Sequence, residues 1–506
     1  MCKSENSEIA RCRASLNWLE SGFIFKTARG PMSESIFWYD FETFGANPVW
    51  DRPSQFAGIR TDLDLNIIEE PENFYCRQSD DYLPHPMACL ITGISPQTCQ
   101  QKGMVEAAFI KRINDIFSVP GTCAAGYNSI RFDDEVTRNT LYRNFYDPYQ
   151  REWQNGNSRW DILDMMRCAY ALRPEGISWP KGEDGKVSFK LESLSAANGI
   201  VHENAHDALS DVYATIGLAK LIKDKQPKLY QHLFNLRRKD VAASMLDTVN
   251  KRPVLHISGM FGVDRGCAGM MVPLAIDAKN KNAIICFDLM SDPTPLFELS
   301  VEQIQQRLFT PKDKMPKGVE RLSLKSIHVN KCPVVLPGKM VDASIATRWG
   351  FDGAKMRENL HLIKNGQDLT QKLQAVMTRE FDAPTDPDAM IYSGGFFSQN
   401  DKAAMAQIRD SHPEALADLD LAFQDRRLEE MFFRYRARNY PQTLQGDENE
   451  RWEEYRKQKL LGPQTGPALN YQAFSTALNE VANSAPVEKH EVLQELATYA
   501  ESIYPF

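Results

Sequence analysis

The chain has 506 residues, 42% of them hydrophobic and 25% charged, a globular composition long enough for about three domains of roughly 150 residues each. Its 59 Lys and Arg against 67 Asp and Glu leave a net charge of -8, so nothing in the overall balance marks a nucleic-acid binder and any such site must be a local patch. The 10 Cys contain no C-x-x-C pair and stop at Cys332, which fits reduced thiols in a cytoplasm better than a disulfide frame or a zinc knuckle.

Residues 1–31 mix Glu5, Glu8, Arg11, Arg13 and Glu20 and have no apolar core of signal-peptide length. Met32, directly before the first convincing strand, reads as the natural start, with 1–31 as an N-terminal extension. The longest apolar runs, such as 270–276, are far short of the roughly 18 residues a membrane span needs.

From 35 to about 222 short β-rich runs alternate with amphipathic stretches, which predicts an α/β domain over 32–222. Strands are expected over 36–39, 55–61 and 65–76, with a polar turn at 62–64, and again over 122–127. A helix follows from about Phe132, with Asp133, Asp134 and Glu135 in its first turn, where carboxylates suit the positive helix end. A helix over 207–222 closes the domain.

The segment 218–240 carries seven Lys or Arg, among them Lys220, Lys228 and Lys239, against two Asp, and reads as a basic linker. Beyond it, β-like runs at 253–260, 268–276, 283–289 and 324–335 predict a small β-rich domain, the two together filling 223–380. After about 352 the pattern is helical, with helices expected over 354–364, 370–380, 401–409 and 416–438 and a loop at 381–388. The part 381–506 is expected to be a mostly α-helical C-terminal domain. Its end, 441–506, has ten acids against five bases and is a poor phosphate-binding face.

Asp40 and Glu42 stand at the end of the first strand, and strand alternation points both the same way. Two carboxylates side by side repel unless water or a divalent cation compensates them, and hard oxygens are what Mg²⁺ or Mn²⁺ prefers. Alone, a D-x-E pair is more often a solvated strand end. His206 and Asp211 lie at a helix start with H-x4-D spacing, which puts an imidazole at the mouth of a site and a carboxylate one turn deeper. A surface His beside capping acids explains the same pattern. Asp133 is explained by the helix dipole alone.

Taken in order, Asp40-Phe-Glu42-Thr43, the turn Gly126-Tyr127-Asn128 leading to Asp133, and His206 with Asp211 resemble the three exonuclease motifs of the DEDDh superfamily. Within it the chain is similar to the bacterial exonuclease I family, through the stretches 39–45, 131–139, 143–149, 171–176, 330–333 and 435–439 as well. The resemblance covers Met32 to the C-terminus. It implies an RNase H-like α/β exonuclease domain, an SH3-like β-domain and a helical C-terminal domain enclosing a DNA channel. It further implies a 3'-to-5' exodeoxyribonuclease of single-stranded DNA, active in DNA repair and recombination. Asp40, Glu42, Asp133 and Asp211 would hold two Mg²⁺ ions, with Mn²⁺ as a substitute, and His206 would be the general base. Asp207, Asp134, Asp161 and Asp164 are set aside as capping or helix-surface acids.

Sequence-independent binding of a single strand needs cations along the backbone and aromatic faces for the bases. Arg138, Tyr142, Arg143, Phe145, Tyr146, Tyr149, Arg151 and Trp153 interleave these types. The helical rings Tyr142, Phe145 and Tyr146 are expected in the core, and Tyr149 and Trp153, beyond Pro148, on an exposed loop. The resemblance assigns DNA contact to Arg138, Tyr149, Trp153, Arg167 and Lys239, and to Lys190, where the family pattern has Arg. Lys239, Lys325 and Lys331 along one channel would make digestion processive and salt-sensitive. The chain is expected to be a monomer, and the resemblance also implies that it engages the acidic, hydrophobic-ended tail of single-stranded DNA-binding protein. Two other readings are an exoribonuclease on the same catalytic fold and a binding scaffold with an inactive site.

Overall fold

Alternation along the first strand dictates a sheet covered on both faces. In the computed structural model, which describes residues 34–202, 207–378, 383–464 and 466–505, β1 (Ser35–Thr43) points Ile36 and Trp38 one way and Phe37, Tyr39 and Phe41 the other. The helix Ala208–Lys225 covers the first face with Val212 and Ile216, and the helix Glu106–Phe117 covers the second with Phe109, Ile113 and Phe117. Each is a full turn apart on one helical stripe. Truncating a fully buried ring such as Phe109 to Ala would cost about 3–5 kcal/mol. The expectations for 1–31 lie outside the described residues, and 34–506 form one compact unit.

The sheet adds β2 (Pro53–Thr61), β3 (Glu72–Tyr75), β4 (Thr122–Gly126) and β5 (Ser158–Asp161) in the order β3-β2-β1-β4-β5. The β1–β2 and β2–β3 pairs are antiparallel, β1–β4 and β4–β5 parallel. Gly126 ends β4 where a Cβ would lie 3.0 Å from the Tyr39 carbonyl and 2.7 Å from Ser129 Cβ, so a side chain there would push β4 away from the end of β1. The strand expected over 65–76 is much shorter. Asp62 Oδ1 accepts the Asp64 and Asn66 amides, Leu65 takes a φ of 68°, and after a single bridge from Ile67 to Thr61 the chain resumes a strand only at Glu72.

The expected basic linker is instead packed helix. The helix Pro227–Asn235 buries Leu229, Tyr230, Leu233 and Phe234, two of whose rings stack edge-on against Trp160. The charge count concealed an amphipathic face: Lys220, Lys225 and Lys228 point outward.

A second five-stranded sheet, all antiparallel, follows in the order β10-β6-β7-β8-β9, from β6 (Val254–Ile257), β7 (Ala268–Ile276), β8 (Ala283–Asp288), β9 (Leu324–His328) and β10 (Val334–Pro337). The single run expected at 324–335 divides because β9 and β10 pair at opposite edges of the sheet. The chain turns between them through Cys332, whose φ is 45°.

The remainder is helical, including Gly353–Asn365, Thr370–Met377, Gln399–Asp410, Arg427–Asn439, Glu448–Leu461, Tyr471–Ser484 and His490–Ser502. The helix expected from 416 begins only at Arg427, because Asp401 Oδ1 holds the Gln424 and Asp425 amides in an irregular approach. These helices pack back onto the first domain. Met431 and Tyr435 join Tyr142 and Phe145, and Leu496 and Phe474 join Phe44 and Tyr82. Arg438 spans the seam, to Asp81 at 3.0 Å and Asp388 at 2.8 Å. Among the described residues no helix is long and apolar enough to cross a membrane.

Candidate active site

Asp40 and Glu42 continue the Ile36–Trp38 face of β1, so the alternation that buries Trp38 aims both carboxylates at the N-terminal end of the helix Ala208–Lys225. Asp207 caps that helix, accepting the Ser210 amide at 3.3 Å, and Asp211 lies one turn in. One oxygen from each of Asp40, Glu42 and Asp211 falls within 4.8 Å of the others. Asp133, the first residue of the helix Asp133–Arg143, is buried beside them, with Oδ1 accepting the Phe41 amide at 3.1 Å. It stands next to this trio and outside it.

Two side chains anchor the helix end. Gln55, opposite Glu42 in the β1–β2 register, donates through Nε2 to Asp207 Oδ1 at 3.0 Å. His202 Nε2 lies 2.5 Å from Asp211 Oδ1. His206 lies outside the described residues.

Burial, and then the neighbouring carboxylates, hold Asp40 well above the usual carboxylate range. The same causes push Glu42 up to about 9, and burial pushes Asp133 up to about 8 despite the Phe41 amide. After burial, the largest influences on the Asp40 and Glu42 charges are other carboxylates, among them Asp133, Asp207 and Asp211. A buried, all-oxygen cluster that lacks a compensating Lys or Arg among the described residues fits a divalent cation: the charge would ionise the acids, and hard oxygens suit Mg²⁺ or Mn²⁺.

Of the acids set aside, Asp207 is a cap as expected, Asp161 accepts the Asn128 and Leu163 amides, and Asp164 pairs with Arg167 at 2.6 Å. Asp134 differs: it is no surface acid. Its carboxylate is 1% exposed and takes the Tyr39 hydroxyl at 2.9 Å, Arg159 at 2.7 Å and Arg151.

Trp153 is 66% exposed and Tyr149 half-buried, while Tyr142 and Phe145 are core as expected and Tyr146 is half-buried. Arg138 is buried and committed. It forks onto Glu152 at 2.7 and 3.0 Å, pairs with Glu135 at 2.7 Å and lies 5.3 Å from the Tyr149 ring centre, which makes it a support for that ring. Arg167 is partly exposed, and Lys190 and Lys239 are exposed at helix starts.

Two aromatic residues escaped the sequence reading. Tyr392 has its ring 6.5 Å from Tyr149 and its hydroxyl on Glu135, and Phe396 is 92% exposed. Phe396 lines a cavity of about 420 Å³ with Tyr149, Trp153, Lys402 and Arg409. The available signal was aromatic residues flanking Gly394 and Gly395, glycines that leave rings little to pack against.

Residues 37–219 match the family described as Exonuclease, 237–379 the Exonuclease I SH3-like domain and 385–503 the Exonuclease I C-terminal domain. The exodeoxyribonuclease I of Escherichia coli is 45% identical over 478 residues, 94% of this chain and 99% of its own. That of Haemophilus influenzae is 46% identical over 468 residues, 92% and 98%. Among solved structures, E. coli exonuclease I in complex with a dA16 oligonucleotide superposes with a TM-score of 0.89 at 45% identity, covering 93% of this chain and 100% of that one. A moderately thermophilic exonuclease I from Methylocaldum szegediense gives 0.89 at 47% identity, covering 93% and 99%. An E. coli exonuclease I complex with single-stranded DNA has been solved in a zinc-bound form.

Proposed function

The chain belongs to the exonuclease I family, and from that premise we propose that it degrades single-stranded DNA from the 3' end to 5'-mononucleotides by metal-assisted hydrolysis, in the cytoplasm and in the service of DNA repair and recombination. The observation that carries this is the convergence of Asp40, Glu42 and Asp211 within 4.8 Å, where the strongest charges acting on Asp40 are those of other carboxylates.

Asp40, Glu42 and Asp211, with the second oxygen of Asp133, would hold two Mg²⁺ ions, or Mn²⁺ in their place. Bound there, divalent cations neutralise the scissile phosphate and lower the pKa of the attacking water. The protein's own part is positional. The Phe41 amide fixes Asp133, His202 fixes one oxygen of Asp211, and Gln55 fixes the cap beneath it, so the oxygens need little rearrangement to receive charge. His206 is assigned the proton from the attacking water, a task for which an imidazole titrating near neutrality is suited.

Trp153, Tyr149, Tyr392 and Phe396 offer ring faces for successive bases without reading their edges. Arg167, Lys190, Lys239, Lys325 and Lys331 supply cations for the backbone. For the tail of single-stranded DNA-binding protein, the structure offers a cavity of about 750 Å³ whose wall includes Val254, Met270, Leu289 and Phe351, with Arg252, Lys339 and Arg357 at its lining. An apolar floor with a cationic rim suits an acidic tail ending in a hydrophobic residue.

The exoribonuclease reading shares the catalytic motifs, but the match through both non-catalytic domains favours DNA. Matched DNA and RNA oligonucleotides test the choice: faster trimming of DNA supports the proposal, and faster trimming of RNA reverses it.

A further inference from the structure

Arg159, on the edge strand β5, holds two domains at once. Its side chain is 5% exposed; Nη1 donates to Asp134 Oδ2 at 2.7 Å, and Nη2 donates to the Asn330 carbonyl at 2.8 Å. The Arg159 carbonyl accepts from Cys332 Sγ at 3.0 Å. The turn between β9 and β10 is therefore fixed on β5 at two points, on either side of Lys331.

The other end of this network reaches the catalytic strand. Asp134 follows Asp133 and takes the hydroxyl of Tyr39, which precedes Asp40. Glu152, the neighbour of Trp153, pairs with Arg159 at 3.1 Å and with Arg138 at 2.7 Å. Lys331 itself is exposed, and Arg159, which anchors the turn on both sides of it, connects through Glu152 and Arg138 to the Tyr149 ring, which Tyr392 meets. A cation held rigidly beside a row of aromatic faces loses less conformational freedom on meeting a phosphate than one on a free loop.

We propose that Arg159 is a positioning residue that fixes Lys331 against the bound strand, so that the DNA is retained between successive cleavages; this rests on the exonuclease reading above. The role needs the guanidinium fork. One ammonium cannot serve both the Asp134 carboxylate and the Asn330 carbonyl, so Lys at 159 would keep the charge under Asp134 and release the turn.

The test is the number of nucleotides removed per binding event on a long 5'-labelled single strand with excess unlabelled DNA as a trap. The rate of the first cleavage from the pre-bound complex is measured alongside. For Arg159→Lys the expected result is a run shortened about tenfold, the loss of roughly one charged contact, with the first cleavage changed by less than about twofold. Lys331→Ala, which leaves every buried pair in place, should shorten the run equally, and the double variant should be no worse than either single one. A normal run length in Lys331→Ala, or effects of the two substitutions that add in full, would overturn the proposal. So would a first cleavage in Arg159→Lys that slows as much as the run shortens, because Arg159 would then be acting on the chemistry. A wild-type protein that cleaves nothing would instead overturn the exonuclease reading itself.

Discussion

Gln55 donates to Asp207 at 3.0 Å while lying opposite Glu42 on the neighbouring strand, so one amide joins the helix that carries Asp211 to the strand paired with the one that carries Asp40 and Glu42. Its other partners are the Asn73 side chain, the Tyr75 hydroxyl and the Ala208 amide. Gln55→Leu would fill the space and break the tie, leaving buried polar groups unpaired at a cost of about 1–3 kcal/mol. The expected outcome is a lower melting temperature together with a several-fold higher Mg²⁺ concentration at half-maximal activity, read from a Mg²⁺ titration. An unchanged titration would mean the tie does not position the acids.

Replacing a ligand should help the metal-free fold while abolishing turnover. Asp40 is held well above the usual range because its charge is buried among other carboxylates. Asp40→Asn keeps the shape and removes that repulsion. In EDTA at pH 8 its melting temperature should equal or exceed that of wild type, and Mg²⁺ should raise it less than it raises wild type. Thermal melts with and without Mg²⁺ decide it; a clear drop in EDTA would show that Asp40 is a structural hydrogen-bonding residue.

The same shifts set a pH dependence. Asp133 and Glu42 have folded values near 8 and 9, above the roughly 4 of an unfolded carboxylate, so between these limits the native state holds protons that the unfolded state has released. Their contribution is fully present below about pH 4 and is lost as pH rises through 8 to 9. The contribution of this cluster to metal-free stability should therefore fall with rising pH, and Mg²⁺ should stabilise the protein more at pH 9 than at pH 6, releasing protons as it binds. Melts in EDTA and in Mg²⁺ across that range, compared with Glu42→Gln, measure the contribution; a Mg²⁺ effect independent of pH would contradict the cluster's assignment.

Trp153 is 66% exposed, so removing its ring costs the fold little. As a stacking face it is worth roughly 1–3 kcal/mol, so Trp153→Ala should weaken single-strand binding about tenfold at unchanged melting temperature. Fluorescence anisotropy with a labelled oligonucleotide checks this, and affinity in both proteins should fall steeply with salt.

Local rules made two placements legible: strand alternation aims Asp40 and Glu42 the same way, and a helix turn separates Asp207 from Asp211. Their grouping into one set came from the family resemblance, because each motif alone also fits a solvated strand end or a helix cap. Asp134 was not legible: its burial depends on Arg151 and Arg159, which fold over it from 17 and 25 residues away. Tyr392 was hidden for the same reason, since it meets Glu135 from 257 residues away. The basic segment was misread because a charge count ignores the face on which charges sit, and Leu229, Leu233 and Phe234 make it a packed helix. The division of 324–335 into β9 and β10 follows from which edges the strands join, a property of the whole sheet.

The most direct measurement is the fate of a 5'-labelled single-stranded DNA oligonucleotide incubated with wild-type protein and with Asp40→Ala, each in Mg²⁺ and in EDTA. The expected result is progressive shortening from the 3' end by wild type in Mg²⁺ alone. Shortening that persists in EDTA or in Asp40→Ala would contradict metal-assisted hydrolysis at the carboxylate cluster, and an oligonucleotide left intact but bound in every lane would make the protein a single-strand-binding scaffold.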